Sequence, residues 1–389
     1  MQIAAVLGQF QKLVQQAGVN EGEMIMELFY QENWETIKKR LTLLWDGEIL
    51  DRPCVAVSCL KDEKNPFQER VPKTAEEWKA FYTDPEWILE RSLDRFDKSY
   101  YGGDALPMIF PYWGCGGHAK YLGGKAQYVP GTIWIEPAFE DYNSFDFSFA
   151  PDDEVLQAEL RALKYLAEAG KGKFFVAPPD NCGSYDALSE LRGGEDFITD
   201  LLDEPELVKK CGNKMVDILI KSGDMIFDVL RENNDGGSVH GWMNTWCPGK
   251  HMQLQCDLSV MISADMYREF IVEELERSCQ WLDRAIYHLD GMEQIRHIDL
   301  ITSVKRLSMV QWTQVDGQPD LTHNFESLHR IQKAGKGLVL QPYKRQLNAI
   351  VNELPLNGVM LVVLDAANKQ EADEIVDFVA KHSFKKTLY

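Results

Sequence analysis

The stretch "AIYHLDGMEQIRHIDLITSV", residues 285–304, decides the fold class. A short apolar run comes first and is followed by apolar residues at helical spacing, which predicts a strand and then a helix. Three similar units follow directly. Their strands are predicted at "LSMVQWT" (307–313), "KGLVLQPY" (336–343) and "NGVMLVVLD" (357–365). This alternation predicts a parallel sheet with helices packed outside it.

Longer units of the same kind precede this region. Their strands are predicted at "PCVAVSCL" (53–60), "DALPMIFPYWG" (104–114), "KFFVAPPDNCG" (173–183) and "GGSVHGWMN" (236–244). Helices are expected at about 153–170, 186–232 and 263–284. Eight strands in this pattern predict an α/β protein with a (β/α)8 TIM barrel. A doubly wound sheet is the alternative, but no Gly-rich turn follows the first strand.

Two regions do not fit the repeating pattern. Residues 1–50 are expected to form an N-terminal helical extension, which begins with an amphipathic helix at "MQIAAVLGQFQKLVQQAG" and does not resemble a signal peptide. Residues 51–389 are expected to form the barrel. Within the barrel, "YLGGKAQYVPGTIWIEPAFEDYNSFDFSF" (121–149) contains strand-like pieces. We expect it to be an insertion near the barrel mouth.

The composition limits the partners. Apolar residues make up 45% of the 389 residues, enough for a large core, and the net charge is −20. This charge disfavours nucleic acid and anionic membranes, and no run of 18 apolar residues predicts a membrane span. Eight cysteines without CxxC pairs are typical of reduced core residues in a cytoplasmic protein. The sequence is compatible with a homodimer.

Polar and aromatic residues concentrate where the predicted strands end. Active sites of TIM barrels lie at the carboxyl ends of the strands. The candidate substrate-binding residues at these ends are Tyr112, Trp113, Asn181, His240, Trp242, Trp246, Gln311 and Trp312. Ordinary packing of the tryptophans in the core is the competing interpretation. The chain has no P-loop, no GxGxxG, no HExxH and no nucleophile elbow, which disfavours nucleotide binding and serine hydrolysis.

His288 and Asp290 are the strongest candidates for chemistry. Residues i and i+2 of a strand point to the same side, so both can face the barrel mouth. A His–carboxylate pair can move protons, or it can bind zinc or a harder divalent metal. The simpler interpretation is a buried histidine with one hydrogen bond and an aspartate that caps the helix at Met292. Asp257 is a further catalytic candidate, and a metal site formed by His240, Cys256 and His288 is also considered.

Four segments together resemble the uroporphyrinogen decarboxylase superfamily over about residues 170–320. They are "APPDNCGSYDALSELRGGEDFITDLLDEPELVKK" (177–210), "CDLSVMISADMYREFIVEELE" (256–276), "YHLDG" (287–291) and "VQWT" (310–313). The resemblance implies the (β/α)8 fold and one of two chemistries. One is cofactor-free decarboxylation of uroporphyrinogen. The other is zinc-dependent methyl transfer involving corrinoid proteins and thiols.

The departures from the family pattern distinguish these chemistries. The arginine-rich "RQAGRY" stretch of the decarboxylases is replaced by "VSCLKDEKNPFQ" (57–68), and Tyr185 is out of register with their tyrosine. In the methyltransferases, zinc is bound by His-x-Cys and a later cysteine. Here His288 matches the histidine, Asp290 replaces the first cysteine, and Asp365 stands near the place of the second. Oxygen in place of sulfur makes a harder site.

The sequence therefore predicts a methyltransferase that moves a methyl group between a small molecule and a corrinoid carried by a separate protein. Its metal ligands, for zinc or a harder ion, are predicted to be His288 and Asp290, with Asp365 and Cys256 as further candidates. Its catalytic residues are predicted to be His288, Asp290 and Asp257. One alternative is a lyase that decarboxylates a smaller carboxylated substrate. Another is a barrel that binds a tetrapyrrole or a small ligand without catalysis.

Overall fold

The computed structural model describes residues 28–114 and 116–382. The helix predicted at residues 1–18 lies outside this part. The described chain is an α/β protein with a largely parallel sheet, as the strand–helix alternation predicts. None of its helices, among the described residues, has the length and apolarity that a membrane span requires.

The strands are β1 Cys54–Leu60, β2 Ser99–Gly103, β3 Met108–Ile109, β4 Lys125–Val129, β5 Thr132–Glu136, β6 Phe175–Val176, β7 Ser238–His240, β8 Thr245–Cys247, β9 His251–Leu254, β10 Arg284–Leu289, β11 Met309–Trp312, β12 Gly337–Leu340 and β13 Val359–Val363. The helices are α1 Trp34–Leu44, α2 Ala75–Thr83, α3 Pro85–Lys98, α4 Glu154–Gly170, α5 Ser184–Arg192, α6 Gly194–Asp203, α7 Pro205–Leu230, α8 Ala264–Met266, α9 Val272–Trp281, α10 Ile298–Ser303, α11 Phe325–Lys333, α12 Leu347–Glu353 and α13 Lys369–His382.

A seven-stranded sheet organises the molecule, in the order β2-β1-β13-β12-β11-β10-β9. All neighbouring strands are parallel except β2, which pairs antiparallel with β1. In this register His288 lies beside Gln311, and Gln311 lies beside Val339. Parallel pairing places the carboxyl ends of β9 to β12 at one edge, where the candidate site residues lie.

The alternation of side chains divides the core into two clusters. The inner cluster contains buried residues from one face of the sheet, among them Cys54, Ala56, Ile286, Met309, Val339 and Met360. The outer cluster contains the intervening residues of the same strands and the helices that cover them, among them Val55, Val57, Tyr287, Leu289, Val310 and Trp312. Both faces are buried, which explains the nearly continuous apolar runs of these strands.

Helix α1 seals the inner cluster. Trp34, Ile37, Leu41 and Leu44 form its buried face, and all belong to the inner cluster. The Trp34 ring packs edge-on against Phe175 at 4.8 Å and against Trp246 at 5.5 Å between ring centroids. The described part of the predicted N-terminal extension therefore packs into the same core as the strands.

The sheet does not close into a hydrogen-bonded barrel among the described residues. β3 and β6 form a separate parallel pair, and β7 and β8 a separate antiparallel pair. Side chains join the separate pieces. The Asp104 carboxylate accepts from the Val55 N–H. The side-chain amides of Asn233 and Asn234 both accept from the Val176 N–H, and that of Asn244 accepts from the Leu106 N–H. These polar side chains satisfy strand edges that are too short to pair with each other.

The strand predicted at 236–244 requires a correction. It contains β7, but β7 pairs with β8 and not with the strand at 284–289. The neighbour of β10 is β9, in a segment for which the sequence pattern predicted no strand. Every second residue of this segment is polar, namely His251, Gln253 and Gln255. The segment therefore lacks the apolar signal of the other strands. The predicted insertion contains the β4–β5 hairpin.

Replacing Trp34 with alanine is expected to destabilise the protein by about 3–5 kcal/mol, because the indole is fully buried against two aromatic rings and leaves a cavity. The free energy of unfolding in urea measures this. Phe29→Ala removes an aromatic ring that is 74% exposed and serves as the control, with an expected change within about 0.5 kcal/mol. Equal effects of the two substitutions would contradict the role of α1.

Candidate metal centre

His288 and Asp290 project from the carboxyl end of β10. The flanking Tyr287 and Leu289 are buried in the outer cluster, so the two polar side chains point to the other side of the strand. Gly291 follows with a φ of 86°, a left-handed conformation that suits glycine and turns the chain sharply after Asp290. The residue that caps the following turn is Gly291, so Asp290 does not act as the helix cap.

Asp257 completes a cluster with this pair. One ligand atom from each of Asp257, His288 and Asp290 lies within 4.8 Å of the others. Asp257 follows β9 at the start of a 3-10 turn, Asp257–Met261. Its Oδ2 accepts a hydrogen bond from Gln255 Nε2 at 2.9 Å, whereas its buried Oδ1 has no hydrogen-bond partner among the described residues. We call these three residues the DHD cluster.

The backbone of the Asp257 turn is held by one carboxylate. Asp186 of α5 accepts hydrogen bonds from the N–H groups of Asp257 and Leu258, both at 2.9 Å, and from that of Gly183 at 3.2 Å. Burial raises the pKa of Asp186, while these N–H groups stabilise its charged form. The start of α5 is thereby fixed to the turn that presents Asp257.

A chain of two glutamines fixes the orientation of His288. The Trp242 carbonyl can only accept, and it accepts from Gln341 Nε2 at 3.1 Å. Gln341 Oε1 accepts from Gln311 Nε2 at 3.3 Å, and this leaves Gln311 Oε1 facing His288 Nδ1 at 2.5 Å. His288 Nδ1 therefore carries the proton and donates it. Its Nε2 keeps a free lone pair, as in histidines that bind metals.

The electrostatics of the site disfavour two bare carboxylates. Burial raises the pKa of Asp257, the interaction with nearby His288 lowers it, and the negative charge of Asp290 raises it again. The carboxylate of Asp290 accepts no hydrogen bond from any described residue. Burial also raises the pKa of neighbouring Asp180 to about 6. A bound cation would compensate this concentration of negative charge.

The histidines around the site are neutral. Burial lowers the pKa of His240 to about 3, of His251 to about 3 and of His118 to about 4. His240 packs edge-on against Trp242, whose ring centroid also lies 5.1 Å from that of His288. His240 Nδ1 and His118 Nε2 are buried without a hydrogen-bond partner in the described chain. These are polar groups oriented for a ligand or water.

The DHD cluster fits a divalent metal. It offers one imidazole nitrogen and two carboxylate oxygens, the three protein ligands that a catalytic zinc site has before water or substrate completes it. The predominance of oxygen favours harder ions than a thiolate site does. The unpartnered Asp257 Oδ1 is the observation that favours a cation ligand role, because buried polar atoms are normally satisfied.

The other predicted metal ligands lie elsewhere. Cys256 is fully buried in the outer cluster, and burial raises the pKa of its thiol well above its ordinary value. Asp365 follows β13, where its Oδ1 accepts from the Lys344 N–H at 2.6 Å. Neither residue joins the DHD cluster, which takes Asp257 in their place. Of the adjacent candidates Cys256 and Asp257, therefore, Asp257 joins the cluster, and Cys256 is buried in the outer cluster.

The predicted substrate-binding residues divide into two groups. Trp242, His240 and Gln311 lie beside the DHD cluster, as described above. Asn181 accepts from Gln253 Nε2 through its carbonyl at 3.0 Å, and its side chain lies 3.3 Å from His118 Nδ1. These four residues are the ones that the structure brings towards the site.

The remaining aromatic candidates lie away from the cluster. Trp246 packs under α1 in the inner cluster, and Trp312 and Trp113 are buried in the outer cluster. Tyr112 contacts the β4–β5 hairpin, where its hydroxyl lies 3.5 Å from Thr132 Oγ1. For the three tryptophans the structure supports the core interpretation, because each indole is buried in one of the two clusters.

Sequence reasoning identified Gln311 but did not assign a role to Gln253, Gln255 or Gln341. Gln253 Nε2 donates to Asp180 Oδ1 at 2.8 Å and to Gln255 Oε1 at 2.7 Å. Because Gln255 in turn donates to Asp257, the two glutamines link the carboxylates of Asp180 and Asp257. Gln341 acts at a distance, through Gln311. The signal for Gln253 and Gln255 was their i, i+2 spacing before Asp257, the same spacing that identified His288 and Asp290.

Comparison with solved structures finds proteins of similar fold. The fold is similar to that of a solved methyltransferase from Methanosarcina mazei, with a TM-score of 0.58 and 12% sequence identity over 89% of this chain and 98% of that chain. At this identity the similarity concerns the fold alone. No protein-family model matches the chain, and no curated protein matches its sequence.

Gln311→Leu is expected to weaken zinc binding by about 10- to 100-fold, because His288 loses the acceptor that fixes its ring. Competition with a chromophoric chelator measures the affinity. Gln314→Leu is the matched control, since Gln314 bonds to the Gln341 carbonyl and not to His288. Unchanged zinc affinity in a folded Gln311→Leu variant would contradict the assigned role of the glutamine chain.

Glu274 generates a pH dependence of stability. Burial raises its pKa to about 7 from the ordinary 4.5, although Ser184 N–H donates to it. The contribution of Glu274 to the free energy of unfolding is fully present below pH 4.5, falls as the pH rises, and is lost above pH 7. The reason is that the folded state then holds a buried charge. Relative to the parent, Glu274→Gln is expected to gain about 1–3 kcal/mol between pH 5 and pH 8.

Urea unfolding at the two pH values measures this gain. Glu273→Gln is the control, because it removes the same charge from the exposed neighbouring position. If Glu274→Gln and Glu273→Gln respond to pH alike, the buried carboxyl is not the source.

Proposed function

We propose that this chain is a metal-dependent methyltransferase of the uroporphyrinogen decarboxylase superfamily. It moves a methyl group between a small molecule and a corrinoid that a separate protein carries. The observation that carries the proposal is the convergence of Asp257, His288 and Asp290, whose ligand atoms lie within 4.8 Å of one another. Two of its members, His288 and Asp290, stand at positions where the resemblance implies zinc ligands.

The proposal includes the (β/α)8 arrangement. The strands β1, β3, β6 and β9 to β13 follow one another with helices between them. The fold similarity to a methyltransferase extends over most of both chains, which supports a common architecture. In such a barrel, the carboxyl ends of β9 and β10 lie at the face where active sites form.

The residues of the cluster have separate roles in this reaction. Asp257 and Asp290 supply hard oxygen ligands, and His288 supplies Nε2 in an orientation that Gln311 fixes. When bound, the metal acts as a Lewis acid that draws electron density from the heteroatom bearing the methyl group. A corrinoid Co(I) on the partner protein would accept the methyl carbon and would supply the electron pair of the new bond. The electron pair of the broken bond stays on the heteroatom.

Two neighbours serve the reacting centre. Asp180, with a pKa of about 6, is partly protonated near neutral pH and can supply a proton to the released heteroatom. Trp242 covers one side of His288 with its ring. It would limit the access of water to the reacting centre from this side of His288.

A lyase acting on a small carboxylate is the second candidate. The observation that favours it is the raised pKa of Asp257 beside Asp290, since without a cation one carboxyl of the pair retains a proton. That proton could then be delivered to a carbanion after loss of carbon dioxide. A third candidate is a barrel that binds a small ligand or tetrapyrrole without turnover.

Metal analysis of purified variants tests the proposal. His288→Ala and Asp257→Asn are each expected to lose at least about 10-fold in zinc affinity, because each removes a direct ligand. Asp365→Asn is the matched control and should keep the metal, since Asp365 lies outside the cluster. Protein that binds no divalent metal at the cluster would favour the lyase.

Methyl transfer itself is measured with cob(I)alamin. Conversion to methylcobalamin with a panel of methyl ethers and methylamines, lost in His288→Ala, is the expected result. If no donor methylates cobalamin, with or without a corrinoid protein, the methyltransferase proposal is wrong. Ligand binding without turnover, unaffected by Asp257→Asn, would support the binding protein.

A further inference from the structure

An open cavity of about 610 Å³ lies beside the DHD cluster. Its walls come from the carboxyl end of β1, from α3, from β3 and from the segment after β7. Trp242 lines this cavity, and the same indole lies 5.1 Å from the ring of His288. The volume falls within the range of small-molecule sites.

Two arginines of α3 project into this cavity. Arg91 and Arg95 are four residues apart and share one face of the helix. Neither forms an ion pair with a described residue, although the chain carries a net charge of −20. Many arginines of the described chain form ion pairs, for example Arg52, Arg192 and Arg330. Two guanidinium groups without an ion pair in one cavity therefore require an explanation.

The structure holds Arg91 in place for a ligand. Its Nη1 donates to the Phe81 carbonyl at 2.7 Å, and its guanidinium stacks 3.9 Å from the centroid of the Phe81 ring. A guanidinium has five N–H donors, so most of them remain for another acceptor. Burial lowers the pKa of Arg91, the negative charge of Glu69 raises it, and the positive charge of Arg95 lowers it again.

The remaining charges define the ligand. Arg95 lies 5.3 Å from the Phe67 ring, at the exposed side of the cavity. Glu69 is the carboxylate among the described lining residues, so the cavity keeps one net positive charge. This balance suits a monoanion and disfavours a phosphate dianion. Guanidinium matches the planar geometry of a carboxylate.

The rest of the wall is largely apolar. It is formed by Leu60, Phe81, Ile88, Phe96, Met108 and Phe110, together with other side chains. A ligand here must therefore combine an anionic end with an apolar body. Because Trp242 belongs to both the cavity and the surroundings of His288, the apolar body would extend towards the DHD cluster.

We propose that this cavity binds a small organic monocarboxylate through Arg91 and Arg95, with its apolar body against Trp242. The statement that this carboxylate is the substrate depends on the proposed function. The statement that the site binds a carboxylate does not. The arginines of this site come from α3. They do not correspond to the arginine-rich "RQAGRY" stretch of the decarboxylases, which residues 57–68 replace without any arginine.

Calorimetric titration of the full-length protein with benzoate and hexanoate, against benzamide and hexanamide, tests the site. We expect at least one carboxylate to bind and its neutral amide to bind at least about 10-fold more weakly. Arg91→Gln should weaken carboxylate binding by about 10- to 100-fold, the range for losing a charged hydrogen bond. Arg95→Gln should weaken it less, because Arg95 is more exposed.

Two further variants serve as controls. Arg330→Gln makes the same substitution outside the cavity, where Arg330 pairs with Asp299, and should bind the carboxylate like the parent. His288→Ala removes a metal ligand and should keep carboxylate binding. That result separates this site from a carboxylate bound directly to the metal, and it stands even if cobalamin is never methylated.

Three results would overturn the inference. The first is that no carboxylate binds more tightly than its amide. The second is unchanged carboxylate affinity in Arg91→Gln and Arg95→Gln, both folded by circular dichroism. The third is loss of binding in His288→Ala but not in the arginine variants, which would place the carboxylate on the metal.

Discussion

The repulsion between Asp257 and Asp290 is the constraint on which this site depends. Two carboxylates within 4.8 Å repel by about 3 kcal/mol at an effective dielectric constant of about 20. Folding brings them together from the ends of β9 and β10 and leaves Asp257 Oδ1 without a partner. A protonated carboxyl or a bound cation must relieve this repulsion. The tautomer of His288, with Nε2 free, favours the cation.

Parallel pairing makes such a site possible. The strands β9 to β12 are adjacent, and each contributes at its carboxyl end: Gln255 and Asp257, His288 and Asp290, Gln311, and Gln341. The side chains that contact the reacting centre are held by others one strand away, so the geometry is set by the sheet register. The outer cluster beneath them buries the intervening residues and fixes the side on which each polar group emerges.

The sequence predicted the local features well. The strands from β10 to β13 and the pair His288 and Asp290 follow from apolar periodicity and i, i+2 spacing alone. The sequence did not predict strand β9, because its polar residues face the site and hide the apolar pattern of a strand. It did not predict the unclosed sheet either, because side chains such as Asn244 replace backbone pairing there. No local pattern encodes long-range proximity. Examples are the closeness of Asp257 to His288 and the placement of Arg91 and Trp242 in one cavity.

X-ray absorption spectroscopy of the zinc-loaded protein tests the central claim most directly. The account predicts a first shell of nitrogen and oxygen at about 2.0–2.2 Å, with one imidazole and no sulfur. It also predicts that the imidazole contribution disappears in His288→Ala. A sulfur shell at about 2.3 Å would show that a cysteine binds the metal and would contradict the assignment of Asp257, His288 and Asp290 as its ligands.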